Sequence, residues 1–167
     1  MRALLVVALF TTAAFASPDH HPAPTVSPTF QSMKALVGTW EGMNQVEGGM
    51  QPTKVTYELT SGGTALIEKL MPGTPEEMIT MYASNGGQVS MIHYCVLGNQ
   101  PQMKLKKATG STFQFELDGT KGIADKNAEH MHALTITLDG KNLKHEWINY
   151  RDGKQSEVAS FAFKKKD

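Results

Sequence analysis

Disulfide bonds are the first thing this chain cannot form within itself, because its 167 residues include a single cysteine, Cys95. A small disulfide-stapled scaffold is thereby excluded, and Cys95 is left as a buried hydrophobe, a ligand or a reactive thiol. Net charge is also missing, with 16 Lys and Arg against 16 Asp and Glu. Such a balance gives no electrostatic footprint for nucleic acid or an anionic membrane. The apolar run Ala3–Phe10 is too short for a membrane span, and no later stretch approaches the required length. The chain has no phosphate-binding glycine loop, no Gly-x-Ser-x-Gly elbow and no His-Glu-x-x-His, so motifs of those kinds do not point to an enzyme.

What is present begins with an export signal. Arg2 supplies the positive start, Ala3–Phe10 the apolar core and Ala14-Phe15-Ala16 a small-x-small cleavage site. Residues 1–16 are therefore expected to be removed near Ala16, leaving a soluble protein in a bacterial periplasm or outside the cell. No cysteine follows the cleavage site, so a lipid anchor is not expected. Loss of Arg2 leaves 15 of the 16 basic residues against 16 acidic ones, a formal charge of −1. Residues 17–29 are Pro-rich and core-free, which predicts a disordered linker in which His20 and His21 are solvated. The remainder, 30–167, suits one domain with a sizeable core.

Within that domain the spacing of Phe30, Met33, Leu36 and Val37 predicts one or two turns of helix ending at Gly38. Almost everything after it alternates at strand period between turn signals. Val55, Tyr57 and Leu59 alternate before Ser61-Gly62-Gly63, and Ala65–Leu70 follows, with Leu66 and Leu70 facing opposite to Ile67. Thr74-Pro75 with Glu77 allows at most one helical turn before a strand at Ile79–Tyr82. Asn85-Gly86 then reads as a type I′ hairpin turn into Val89–Leu97. Met103 and Leu105, then Phe113, Phe115 and Leu117, mark two further strands. His130–Leu138, Leu143–Ile148 and Ala159–Phe163 complete about ten. Hairpin-length connections and the lack of a crossover helix predict an all-β, antiparallel up-and-down barrel, which hides its strand edges by closing. The short helix is expected to plug one end.

The segment Leu36-Val37-Gly38-Thr39-Trp40-Glu41-Gly42 resembles the opening Gly-x-Trp strand of lipocalins, fatty-acid-binding proteins and nitrobindin-like haem barrels. That resemblance implies a calycin-type barrel in which the tryptophan packs across the floor. Residues 30–165 also resemble a group of secreted bacterial proteins of unknown function with a lipocalin-like barrel. The matching segments are Gly38–Gly42, His93-Tyr94-Cys95 to Pro101, His130-Met131-His132 and Glu146-Trp147. The lipocalin Thr-Asp-Tyr motif and disulfides are absent, as is a nitrobindin-type Gly-x-Gly after the first tryptophan. The resemblance therefore carries fold further than function.

The run Met91–Leu97 is the most β-prone in the chain. On a strand, Met91, His93 and Cys95 share one face, while Ile92, Tyr94 and Val96 share the other. Both faces are largely apolar, which predicts a strand buried on both sides or lining a closed barrel. Alternation with Leu134, Ile136 and Leu138 turns His130 and His132 inward, if the register holds across the start of that strand. Leu143 and Trp147 take His145 with them. All four domain histidines and Cys95 are thus expected to face the interior.

Three readings remain open: a packed polar network, a cavity for a small hydrophobic or aromatic ligand, or a metal or haem site. The ligand reading uses His93, Cys95, His130, His132, His145, Trp147 and Tyr57, with Phe113 and Phe115 as further walls. The metal reading uses His93, His132 and His145 for zinc or copper, or non-covalent haem, since no Cys-x-x-Cys-His attachment exists. Hydrolase or isomerase chemistry on a cavity-bound ligand is a further alternative. Asn99-Gln100-Pro101 reads as a turn or as a polar rim at the cavity mouth.

Overall fold

The computed structural model describes residues 25–46 and 49–167. The expected export signal and residues 17–24 of the expected linker lie outside the described residues. The linker ends sooner than residue 29, because helix α1 (Pro28–Met33) starts two residues before Phe30. Ser27 caps it: its hydroxyl accepts the Phe30 N–H at 3.2 Å, while Pro28 occupies the first turn, where a missing N–H is tolerated. A 3-10 turn, Lys34–Leu36, continues the helix to the barrel wall. Phe30, Met33 and Leu36 are fully buried and belong to the barrel's hydrophobic core, as a plug requires.

Ten strands follow: β1 (Gly38–Val46), β2 (Gly49–Thr60), β3 (Ala65–Leu70), β4 (Met78–Asn85) and β5 (Gln88–Tyr94), then β6 (Gln102–Thr109), β7 (Thr112–Leu117), β8 (His130–Asp139), β9 (Asn142–Arg151) and β10 (Lys154–Lys165). Each pairs antiparallel with its chain neighbour, and β10 pairs with β1, so the sheet closes into a barrel without an edge. The architecture is the up-and-down barrel that the alternation predicts. Among the described residues, no helix is long and apolar enough to cross a membrane.

Trp40 knits the helical plug to the wall. Its indole N–H donates to the Leu36 carbonyl at 2.7 Å, and the Lys165 ammonium lies 4.7 Å above the ring. The same ammonium donates to the Val37 carbonyl at 2.7 Å, fastening the last strand to the chain just before the first.

Turn chemistry explains the hairpins. Asn85 and Gln88 are paired, so the central residues are Gly86 and Gly87, one position later than Asn85-Gly86. Both have positive φ, 55° and 84°, which a type I′ connection demands. The Pro72–Glu77 connection contains no helix: Thr74 Oγ1 accepts the Glu76 N–H at 3.2 Å and Glu77 accepts the Gly73 N–H at 2.7 Å, leaving turns only.

The strand expected through Leu97 stops at Tyr94, and Cys95–Gly98 turns the chain. Of the two expected settings for this strand, the wall of a closed barrel is the one found. Val89, Met91 and His93 line the interior, whereas Tyr94, Val96 and Leu97 are exposed, because a single-layered barrel buries only one face of its wall.

Candidate functional site

The inner wall carries a polar row formed by direct cross-strand pairing. Tyr57 on β2 lies opposite Glu68 on β3, Glu68 opposite Thr80 on β4, and Thr80 opposite His93 on β5. Directly opposed residues share a face and bring their Cβ atoms within about 5 Å. Each of these side chains is at most 1 % exposed. β9, from across the barrel, closes both ends of the row. The Tyr57 oxygen lies 2.7 Å from His145 Nε2, and the Trp147 ring packs 4.4 Å, centroid to centroid, from that of His93. The result is a polar belt through an otherwise apolar core.

Hydrogen bonding orders the belt. Tyr57 and Tyr82 both donate to Glu68 Oε2, at 2.7 and 2.6 Å. Having used its one proton there, Tyr57 accepts from His145 Nε2–H, which leaves His145 Nδ1 with a lone pair. Thr80 Oγ1 and His93 Nδ1 are 3.0 Å apart. Four buried atoms of this belt have no partner: Glu68 Oε1, His145 Nδ1, His93 Nε2 and Trp147 Nε1. Buried polar groups are nearly always satisfied, so four such atoms in one barrel interior need a cause.

Burial also sets the protonation states. It pushes Glu68 up from 4.5 to about 7, against the opposing hydrogen bonds from Tyr82 and Tyr57. It lowers His93 from 6.5 to about 4 and His145 to about 3, so both imidazoles are neutral at physiological pH. Tyr57 and Tyr82 are raised by burial first and by the Glu68 charge second. Among the described residues Glu68 is the one buried acid, and no Lys or Arg is buried. Next to the belt lies a cavity of about 30 Å³ lined by Leu70, Met78, His93, Met131, Trp147 and Phe161, among others. Its size suits a water molecule or two.

The expected convergence of four histidines is corrected. His93 and His145 are inside, but a bulge at His132 shifts the β8–β9 register between Met131 and Ala133. With two residues of β8 against one of β9, side-chain alternation slips by one. Met131 then takes the inward place opposite Asn149, while His130 pairs with Tyr150 on the outer face. His132 stacks on Tyr150 at 3.8 Å with ring planes 13° apart. His130 Nδ1–H donates to the Ala128 carbonyl at 2.6 Å, which makes His130 Nε2 the acceptor for His132 Nδ1–H at 3.1 Å. This pair lines a separate outer pocket with Lys126 and Gly153. His132 is therefore not brought to His93 and His145. Among the described residues no three His, Cys, Asp or Glu side chains are grouped to hold a metal ion.

Cys95 lies at the end of the inward face, buried, and burial raises its thiol pKa. Its N–H donates to the Asn99 carbonyl at 3.1 Å, and the Asn99 amide donates to the Glu129 carbonyl at 2.7 Å. The expected turn lies earlier, at Val96–Gly98; Asn99-Gln100-Pro101 runs back along β5, with its carbonyls accepting the Cys95 and His93 N–H groups, and anchors the 119–129 loop. Of the expected aromatic walls, Phe113 and Phe115 are buried, and Phe115 packs against Tyr82 at 5.5 Å. The chain matches no protein family, and no curated protein matches it either.

Glu68, Thr80 and Tyr82 were not among the expected site residues. The signal for Glu68 was present: in Leu66-Ile67-Glu68-Lys69-Leu70 an acid sits midway between two leucines on the face opposite Ile67. Thr80 and Tyr82 give no comparable signal, since either suits any strand.

Proposed function

We propose that this chain is an exported bacterial protein, periplasmic or secreted after loss of residues 1–16, with a lipocalin-like barrel that binds a small ligand. The ligand has an aromatic or otherwise largely apolar body and polar atoms that engage the belt of Glu68, His93, His145 and Trp147. One observation carries this reading: four unpartnered polar atoms are buried in the barrel interior. A core selected only for packing would satisfy or delete them, because each costs about 1–3 kcal/mol when left bare. Met78 and Met131 lie beside the belt in the small cavity, and unbranched, flexible side chains of this kind can turn aside to enlarge it.

Native mass spectrometry of the tag-free protein, purified from its own compartment, tests the reading. A small molecule carried by the wild type and lost in His93→Phe is the expected result. An empty wild type whose tryptophan fluorescence also ignores small aromatic probes overturns it. Elemental analysis and absorbance of the same sample address the metal and haem alternatives, and stoichiometric zinc, copper or haem would displace the present reading.

A further inference from the structure

We infer that the ligand held by the belt carries a protonated nitrogen, as a small amine with an aromatic or aliphatic body, and that Glu68 is its counter-ion. This rests on the interior-binding reading above and assigns the charge of the ligand.

Charge decides first. Glu68 has no buried Lys or Arg to pair with, and the two interior histidines are neutral. A carboxylate or phosphate ligand would add a second negative group to an interior without a cation, which low-dielectric surroundings penalise severely. An ammonium supplies the missing charge.

Hydrogen-bond direction agrees. Glu68 Oε2 is occupied by the two phenols, which fix the orientation of the carboxyl group and leave Oε1 free. His145 Nδ1, by the donor sequence through Tyr57, is a second free acceptor. An ammonium has three donors and no acceptor, so it complements these two acceptors; the Trp147 indole N–H, a donor, is not met by it. Aromatic rings of Tyr57, Tyr82 and Trp147 border the belt and supply faces on which a cation is favoured.

The groups facing Glu68 are Tyr57 from β2, Thr80 and Tyr82 from β4, with His93 beyond Thr80 and His145 beyond Tyr57. None of these is cationic at neutral pH, so a bound amine is the one positive charge Glu68 meets. Below neutrality Glu68 holds a proton that the ammonium must expel. Affinity for an amine therefore rises with pH up to the titration of Glu68 and levels off above it, changing by about tenfold per unit on the rising limb.

The test titrates the tag-free protein with three probes of one shape, 2-phenylethylamine, 2-phenylethanol and 3-phenylpropionate, at pH 6, 7 and 8. Binding is followed by tryptophan fluorescence and calorimetry. The expected result is that the amine binds at least about tenfold more tightly than either competitor at pH 8. Its affinity should fall toward pH 6, and Glu68→Gln should erase the preference. Equal or tighter binding of the alcohol or the acid overturns the inference and leaves the interior-binding reading standing. So does a native sample that carries a ligand without a basic nitrogen. An empty native sample with no response to any probe overturns both. Should Glu68→Gln fail to fold, the wild-type profile decides, because an amine affinity that ignores pH overturns the inference.

Discussion

Tyr82 donates to Glu68 Oε2 at 2.6 Å from a position diagonal to it, two residues along β4 from Thr80, the residue directly opposite. The diagonal bond leaves Thr80 free to meet His93, and it adds a second phenol to the oxygen that Tyr57 already engages. A carboxyl group held in this way favours its protonated form because burial outweighs the hydrogen bonds to the charged form.

Replacement of Glu68 by Gln should therefore stabilise the protein more at pH 8 than at pH 4. Glu68 is raised from 4.5 to about 7 in the fold, so the wild type holds its proton where the unfolded chain has lost it. Stability associated with this group is full below 4.5 and is lost as pH rises through 7. Gln removes that loss while its amide oxygen still accepts from both phenols. The benefit at pH 8 relative to pH 4 should reach about 3 kcal/mol in urea unfolding, the equivalent of the shift. An equal effect at both values would contradict the burial of an ionisable Glu68.

His93 and His145 act with the opposite sign. Their folded values, about 4 and 3, lie below the ordinary 6.5, so acid favours the unfolded chain, which takes up protons first. Two histidines outweigh Glu68 in this range, and stability should fall by about 1–2 kcal/mol per unit between pH 6 and 5. His145→Gln keeps a donor for Tyr57 and, by leaving one histidine against Glu68, should nearly abolish that slope. Melting temperatures across the pH range read both effects, and an unaltered slope in the variant would sink the assignment.

His132→Ala and His93→Ala should separate cleanly, although sequence periodicity places both side chains inside. Removing His132 deletes a stack on Tyr150 outside the wall and should cost about 0.5–1.5 kcal/mol while leaving interior ligand binding intact. Removing His93 opens space beside Trp147 and should weaken binding by at least about tenfold. Matched binding losses in the two variants would place His132 inside after all.

Gly122→Ala should destabilise the loop that covers the outer histidines. Gly122 has φ +78°, and a Cβ there would stand 1.7 Å from the Gln100 carbonyl oxygen. The Gly122 carbonyl also accepts the Gln100 N–H at 2.9 Å, so the two segments cannot simply part. A loss of about 1–3 kcal/mol is expected, together with faster hydrogen exchange over 119–129. A neutral substitution would mean that the contact between the loops is not maintained in solution.

Strand alternation and turn residues made the barrel legible, since Phe113, Phe115, Leu117, Leu143 and Trp147 repeat at the period of a half-buried wall. Helical spacing at Phe30, Met33 and Leu36 was equally readable. The bulge at His132 was not, because it is a mismatch between two strands and leaves no mark on either one alone. The apolar run Met91–Leu97 misled for another reason. Its last residues continue the composition of a strand through a turn, where Val96 and Leu97 meet solvent. Glu68 was readable by face but not by partner, since Tyr57 and Tyr82 reach it from neighbouring strands.

The pairing of Trp40 with Lys165 joins residues from opposite ends of the domain in one ladder. Until β10 docks on both β1 and β9, each of those strands presents an open row of amides and carbonyls that any extended chain can copy. Closure has a large loop to organise, and no smaller subset of strands offers a finished wall without an open edge. A cut or deletion in any one strand exposes two such templates at once, so damaged chains should be lost to self-association rather than persist as truncated barrels.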